Sequence, residues 1–162
     1  MFVAHDVELG VPFVTAQPRL TELISGRTLA SASRIAYDEG LALLAPARPG
    51  SARLMRVRSL QAADVAERVT TGLRWEASGI SAEPYPVLDA DLTLAPAGHT
   101  RSRLALAGVY RAPFGYLHDD LDSALADHVA TTTVRALLRA VASYLAGCGA
   151  GRPAAGRIAD VP

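Results

Sequence analysis

Apolar and polar residues sort by parity from Phe2 to Leu9: Val3, His5, Val7 and Leu9 fall on one side, Phe2, Ala4, Asp6 and Glu8 on the other. A period of two predicts a half-buried strand, and Gly10 and Pro12 end it. The period then lengthens. Thr15 to Ile24 predicts a short helix with Thr15 as its cap, Pro18 in its first turn, and Leu20, Leu23 and Ile24 facing inward. Thr28 to Glu39 predicts a second helix with Leu29, Ala32, Ile35 and Ala36 on one face and Gly40 as its stop. From Leu41 the pattern is strand-like again. Leu41–Leu44, Leu54–Leu60, Val65–Ala77 (bent at Gly72), Val87–Ala95 and Arg103–Arg111 are separated by loops containing Pro46, Pro49 and Gly50, then Pro84 and Pro86, then the hairpin signal Pro96-Ala97-Gly98.

Pro113 and Gly115 lead into Asp119–Leu145, within the longest Gly- and Pro-free part of the chain. Leu121, Ala124, Leu138, Ala142 and Leu145 recur at helical spacing. Asp119 and Asp120 can cap the start. Asp122 and Asp127 early, with Arg135 and Arg139 late, suit the helix dipole. Gly147 and Gly149 stop it. At 1.5 Å per residue such a helix is about 40 Å long and must lie across a wide apolar surface. Residues 1–146 read as one domain, and the Gly-, Ala- and Pro-rich residues 147–162 as a flexible tail.

Strand, two short helices, about six strands in all and a long last helix make an α+β chain with an antiparallel sheet. Parity sorts the late strands. Leu73, Trp75 and Ala77, then Leu88, Ala90, Leu92 and Leu94, then Leu104, Leu106, Gly108 and Tyr110 form an inward face. Arg74 and Glu76, then Asp89, Asp91 and Thr93, then Arg101 and Arg103 form a wet outer face, where Asp and Arg on neighbouring strands can pair. The helix stripe that carries Leu121 and Leu138 is expected to bring His128, Thr131 and Arg135 inward as well. Polar groups there need partners, from other side chains or from a cavity holding water or ligand.

Composition narrows the function classes. The chain has 162 residues, half of them apolar, enough for one domain with its own core. Sixteen basic residues, all Arg, balance sixteen acidic ones, which speaks against nucleic acid as the partner. The one basic cluster, Arg48, Arg53, Arg56 and Arg58, reads as a solvated strand edge. A single cysteine, Cys148, permits no internal disulfide, and neither a secretory signal nor an apolar run of membrane-spanning length is visible. The expectation is a cytoplasmic protein with no integral membrane segment; homo-oligomer formation is left open. No Gly-x-Ser-x-Gly elbow occurs. The four His and one Cys lack zinc-ligand spacing, and Asp89-Ala90-Asp91 supplies two carboxylates without further ligands, so neither metal nor cofactor is expected.

The segments Arg74-Trp75-Glu76-Ala77, Pro86-Val87-Leu88-Asp89-Ala90-Asp91-Leu92 and Leu106-Ala107-Gly108-Val109-Tyr110-Arg111-Ala112-Pro113-Phe114-Gly115, in this order of elements, resemble the START-like (SRPBCC, helix-grip) superfamily of polyketide cyclases and lipid-transfer proteins, over about residues 1–146. The resemblance implies a curved antiparallel sheet of about six or seven strands wrapped around the C-terminal helix and enclosing an apolar pocket. It carries over no catalytic residues. The first expectation is binding or transport of a hydrophobic small molecule, lipid or polyketide-like, and the inward faces offer Trp75, Tyr110, His128 and Arg135 as its ligand-binding residues. Arg135 would meet a carboxylate or phenolate. The alternatives are a cyclase- or dehydratase-type enzyme in the same pocket, with His128 as acid or base and Tyr37 or Tyr110 as a second group, and a structural or interaction domain with a filled core.

Overall fold

The computed structural model describes residues 1–26, 28–41, 54–65, 67–78, 87–111 and 120–147. Five strands and three helices follow in the order β1 (Phe2–Leu9), α1 (Phe13–Ser25), α2 (Thr28–Leu41), β2 (Leu54–Val65), β3 (Arg68–Ser78), β4 (Val87–Pro96), β5 (Ser102–Arg111) and α3 (Asp120–Leu145). The strands form one antiparallel sheet in the order β1-β5-β4-β3-β2. α3 packs on α2, β1 and β5; α2 approaches β2; α1 touches α2, α3 and β4. The helices therefore share one side of the sheet, the α+β layer arrangement.

The sheet follows the parity of its strands. Val3, Val69, Leu73, Trp75, Leu88, Ala90, Leu92, Leu94, Leu104, Leu106 and Tyr110 are buried. On the outer face, Arg74 lies 3.7 Å from Asp89, Arg103 3.5 Å from Asp6, and Arg101 2.6 Å from Glu8. These pairs are exposed and contribute little to stability.

Several boundaries differ from expectation. Among the described residues the sheet has five strands, not six or seven. Leu41 is the last residue of α2, and residues 42–44 lie outside the described residues. Val65 closes β2, where it pairs with Arg68, and does not open β3; the irregularity of β2 falls between Leu60 and Ala63, opposite the bend expected at Gly72. α1 begins at Phe13 behind Pro12, which offers no side-chain cap, so Thr15 is not the cap. Pro18 then falls in the second turn, where its missing N–H would have faced the carbonyl of the exposed Val14. Ile35 is 56% exposed, because α2 buries Leu29, Ala32, Ser33, Ala36, Tyr37 and Gly40 instead. Residues 148–162, with Cys148 and most of the expected tail, lie outside the described residues, as do Asp119, Arg48 and Arg53.

α3 holds 26 residues and turns a wide arc inward. Ala126, Val129, Ala130, Thr133, Val134, Ala136, Leu137, Leu138, Val141 and Leu145 are buried, an arc of roughly 200° at about 100° per residue. At its C-terminal end the Arg19 guanidinium donates to the Leu145 carbonyl at 2.6 Å, and Gly147 beyond takes a φ of 81°. Arg139 on the exposed side pairs with Glu39 of α2.

Gly40 does not end α2. It lies inside the helix where α3 crosses, and a Cβ there would overlap the Thr133 hydroxyl. In an exposed helix, Gly→Ala gains about 1 kcal/mol. Here the added methyl would dislodge the Thr133 hydroxyl from the Val129 carbonyl, to which it donates at 2.8 Å. Overpacking of this kind costs about 1–3 kcal/mol, so Gly40→Ala is expected to lower the urea midpoint. Thr133→Ala in the same chain is expected to recover part of the loss, a non-additivity that a double-mutant cycle measures. A raised midpoint for Gly40→Ala alone would refute the close approach.

Candidate functional site

The sheet register lays the inner side chains in rows that run across the strands. One row is Tyr110–Leu88–Trp75, the next Val3–Gly108–Ala90–Leu73, then His5–Leu106–Leu92–Thr71 and Val7–Leu104–Leu94–Val69. The first row lies at the end of the sheet where β3 and β5 finish and β4 begins. Adjacent strands are about 4.8 Å apart, which separates Trp75 and Tyr110 by about 10 Å across Leu88. Behind them the second row has the small residues Gly108 and Ala90. The strands come so close there that a Cβ on Gly108 would overlap the Ala90 backbone. The inner face of the sheet thus carries two aromatic side chains in its first row and two of the smallest residues in the next.

Tyr110 is held from several directions. Its backbone N–H donates to the Met1 carbonyl at 2.9 Å, and its carbonyl accepts from the Met1 amine at 2.9 Å. Its hydroxyl bonds the side chain of Thr133 on α3. Since Thr133 gives its own proton to the Val129 carbonyl, the phenol is the donor in that pair. Burial pushes the Tyr110 phenol well above its ordinary value, and nearby Tyr37 adds to the rise. Tyr110 is therefore a neutral hydrogen-bonding group at physiological pH, not a base.

Ser33 and Tyr37 lie one turn apart on the buried face of α2, so that α2, α3 and β5 bring Ser33, Tyr37, Tyr110 and Thr133 to one interior region. The Ser33 hydroxyl, the Thr71 hydroxyl and the Trp75 indole N–H are buried without a hydrogen-bond partner among the described residues. Each such group costs about 1–3 kcal/mol if it stays unmet. The buried polar residues Ser33, Thr71, Ser102 and Thr133 are all uncharged. His5, half-buried on the edge strand β1, is the one His, Asp, Glu or Arg at an inner position of the described β1, β3, β4 and β5.

Of the four residues expected to bind ligand, Trp75 and Tyr110 come together in one row and are buried. His128 and Arg135 do not join them. Both are exposed, in the middle of the solvent side of α3, with Thr131 half-buried at its edge. The expected stripe lies to one side of the buried arc: Ala124 is exposed, Ala142 is half-buried, and Leu138 marks its margin. Residues at Ser33, Tyr37 and Thr133 were the better signal. The first two follow Leu29 and Ala32 at helical spacing, and Thr133 is in step with Leu137 and Val141.

No protein-family model matches the chain. No curated protein sequence matches it either. Among solved structures, a hypothetical protein from Helicobacter pylori is 14% identical with a TM-score of 0.50, over 89% of this chain and 87% of that one. A protein from Thermus thermophilus is 14% identical with a TM-score of 0.46, over 93% and 100%. The Zhui aromatase/cyclase from a Streptomyces species is 16% identical with a TM-score of 0.42, over 90% and 93%. At these identities the likeness concerns the fold. An antiparallel sheet with a long C-terminal helix on one face is consistent with a helix-grip arrangement. Among the described residues no helix is long and apolar enough to cross a membrane, and no cluster of His, Cys, Asp or Glu could hold a metal ion.

The buried phenol gives a pH test. The folded pKa of Tyr110 is raised, so its share of stability is whole below the unfolded value of about 10 and is lost as pH rises above it. Unfolding free energy is expected to fall by up to about 1.4 kcal/mol per pH unit above pH ~10. Tyr110→Phe should reduce that slope, read by urea titrations at stepped pH. An unchanged slope in the variant would mean that the Tyr110 phenol ionises freely in the folded protein.

Proposed function

We propose that the chain binds an apolar small molecule between α2, α3 and the inner face of the sheet, in the region floored by Ala90 and Gly108 and walled by Trp75 and Tyr110. The observation that carries this reading is the set of buried, unmet groups, the Trp75 indole N–H with the Ser33 and Thr71 hydroxyls, in mostly apolar and uncharged surroundings. Buried polar groups are met by protein, water or ligand in almost every native structure. Apolar sites with a few fixed polar groups are the usual form of small-molecule sites. Trp75 and Tyr110 remain the proposed lining, with Ser33 and Tyr37 added. His128 and Arg135, exposed on α3, leave the set. With His128 goes the acid or base on which the cyclase or dehydratase alternative was built, so a carrier or binding role is preferred.

Native mass spectrometry of the protein purified without detergent from its own host tests the reading. A small-molecule mass released on acid denaturation is expected. Ala90→Phe, which would fill the floor of the site, should remove that mass while the chain stays folded. A wild-type protein with no bound mass, together with an Ala90→Phe variant destabilised by more than about 3 kcal/mol, would show the interior to be packed solid.

A further inference from the structure

We propose that the ligand is electrically neutral and carries a hydrogen-bond acceptor, a carbonyl for preference, that meets the Trp75 indole N–H. This rests on the ligand-binding reading above and narrows its chemistry. An indole N–H can only donate. Trp75 is 1% exposed and its Nε1 has no acceptor among the described residues. The Ser33 hydroxyl, 0% exposed and also without a partner, adds a second group able to donate. Tyr110, in the same row as Trp75, has its proton committed to Thr133, and Thr133 passes its own to a backbone carbonyl. The free donors among the described residues are thus the indole and the Ser33 and Thr71 hydroxyls, and of these the indole can be met by an acceptor alone.

Charge decides which acceptor. A carboxylate brought inside would need a cation, because an unpaired buried ion is far costlier than an unpaired dipole. Among the described residues, Arg135 and His128 lie in water on α3, Arg139 pairs with Glu39, and Arg19 is bonded to the Leu145 carbonyl at the far end of that helix. His5 faces inward, but from the edge strand and two rows from Trp75. A ketone, aldehyde or ester oxygen takes the indole proton with no ion to desolvate.

The test uses three ligands on each of two skeletons: decan-2-one, decane and decanoate; 2-acetylnaphthalene, 2-ethylnaphthalene and 2-naphthoate. Trp75 is the one tryptophan in the chain, so its indole N–H gives a single resolved resonance in a nitrogen–proton correlation spectrum. The ketone of at least one skeleton is expected to bind and move that resonance downfield. The matching carboxylate should bind at least about tenfold more weakly. By equilibrium dialysis, Trp75→Phe should weaken the ketone about two- to tenfold more than it weakens the matching hydrocarbon, the span of one hydrogen bond; Ser33→Ala should act in the same direction. If the carboxylate binds as tightly as the ketone, or the ketone leaves the indole resonance unmoved, the inference is overturned and the apolar site stands. If no member of either set binds, the site itself is overturned with it.

Discussion

The rest of the described structure follows from burying the apolar inner positions of β1, β3, β4 and β5 against helices that must come close to them. Leucines fill most of the inner positions of β4 and β5, and each fully buried leucine contributes about 1.5–3 kcal/mol relative to exposure. That gain requires contact. Side chains at the crossings must therefore be small, and Gly40 on α2 is a position where a Cβ would overlap α3; within the sheet, a Cβ on Gly108 would overlap the adjacent strand β4. The sheet keeps its charges on the other face, where Arg74, Arg101 and Arg103 reach acidic partners in water.

The same constraint shapes the interior chemistry. Because the inward faces are apolar, the few polar groups there are uncharged and must find partners among themselves. Tyr110 and Thr133 do so, passing hydrogen bonds from β5 to α3 and on to the Val129 carbonyl. Burial keeps the phenol protonated, so the link is an ordinary dipolar one at physiological pH. Ser33 and Trp75 stand outside that chain of donors. The distinction between satisfied and unsatisfied groups marks the site more sharply than shape or charge does, since neighbouring leucines are indifferent to what touches them.

Sequence reasoning located the inner face of the sheet well and the inner face of the last helix poorly. In the strands, Leu88, Leu92 and Leu94 alternate with Asp89, Asp91 and Thr93, so a shift of one residue would bury charges. In α3 no such contrast exists. Ala124 and Leu125 are exposed, while Ala126, Ala130, Thr133 and Ala136 are buried. Alanine and threonine differ too little in hydropathy to fix the rotation of a helix, and a stripe drawn through Leu121 and Leu138 carried His128 and Arg135 with it. The packing of α3 against both α2 and the β1–β5 edge widens the buried arc and sets its centre elsewhere.

By itself, the order of apolar periods determined the class of fold, the antiparallel pairing and the inward placement of Trp75 and Tyr110, because strand parity is a local property that each residue reports. Tertiary structure alone decided which way α3 is turned, why Gly40 sits within a helix, and that Ser33 and Tyr37 face the same interior as Tyr110. Those facts depend on how closely one element can approach another, and a linear pattern of hydropathy holds no record of distance between residues far apart in the chain.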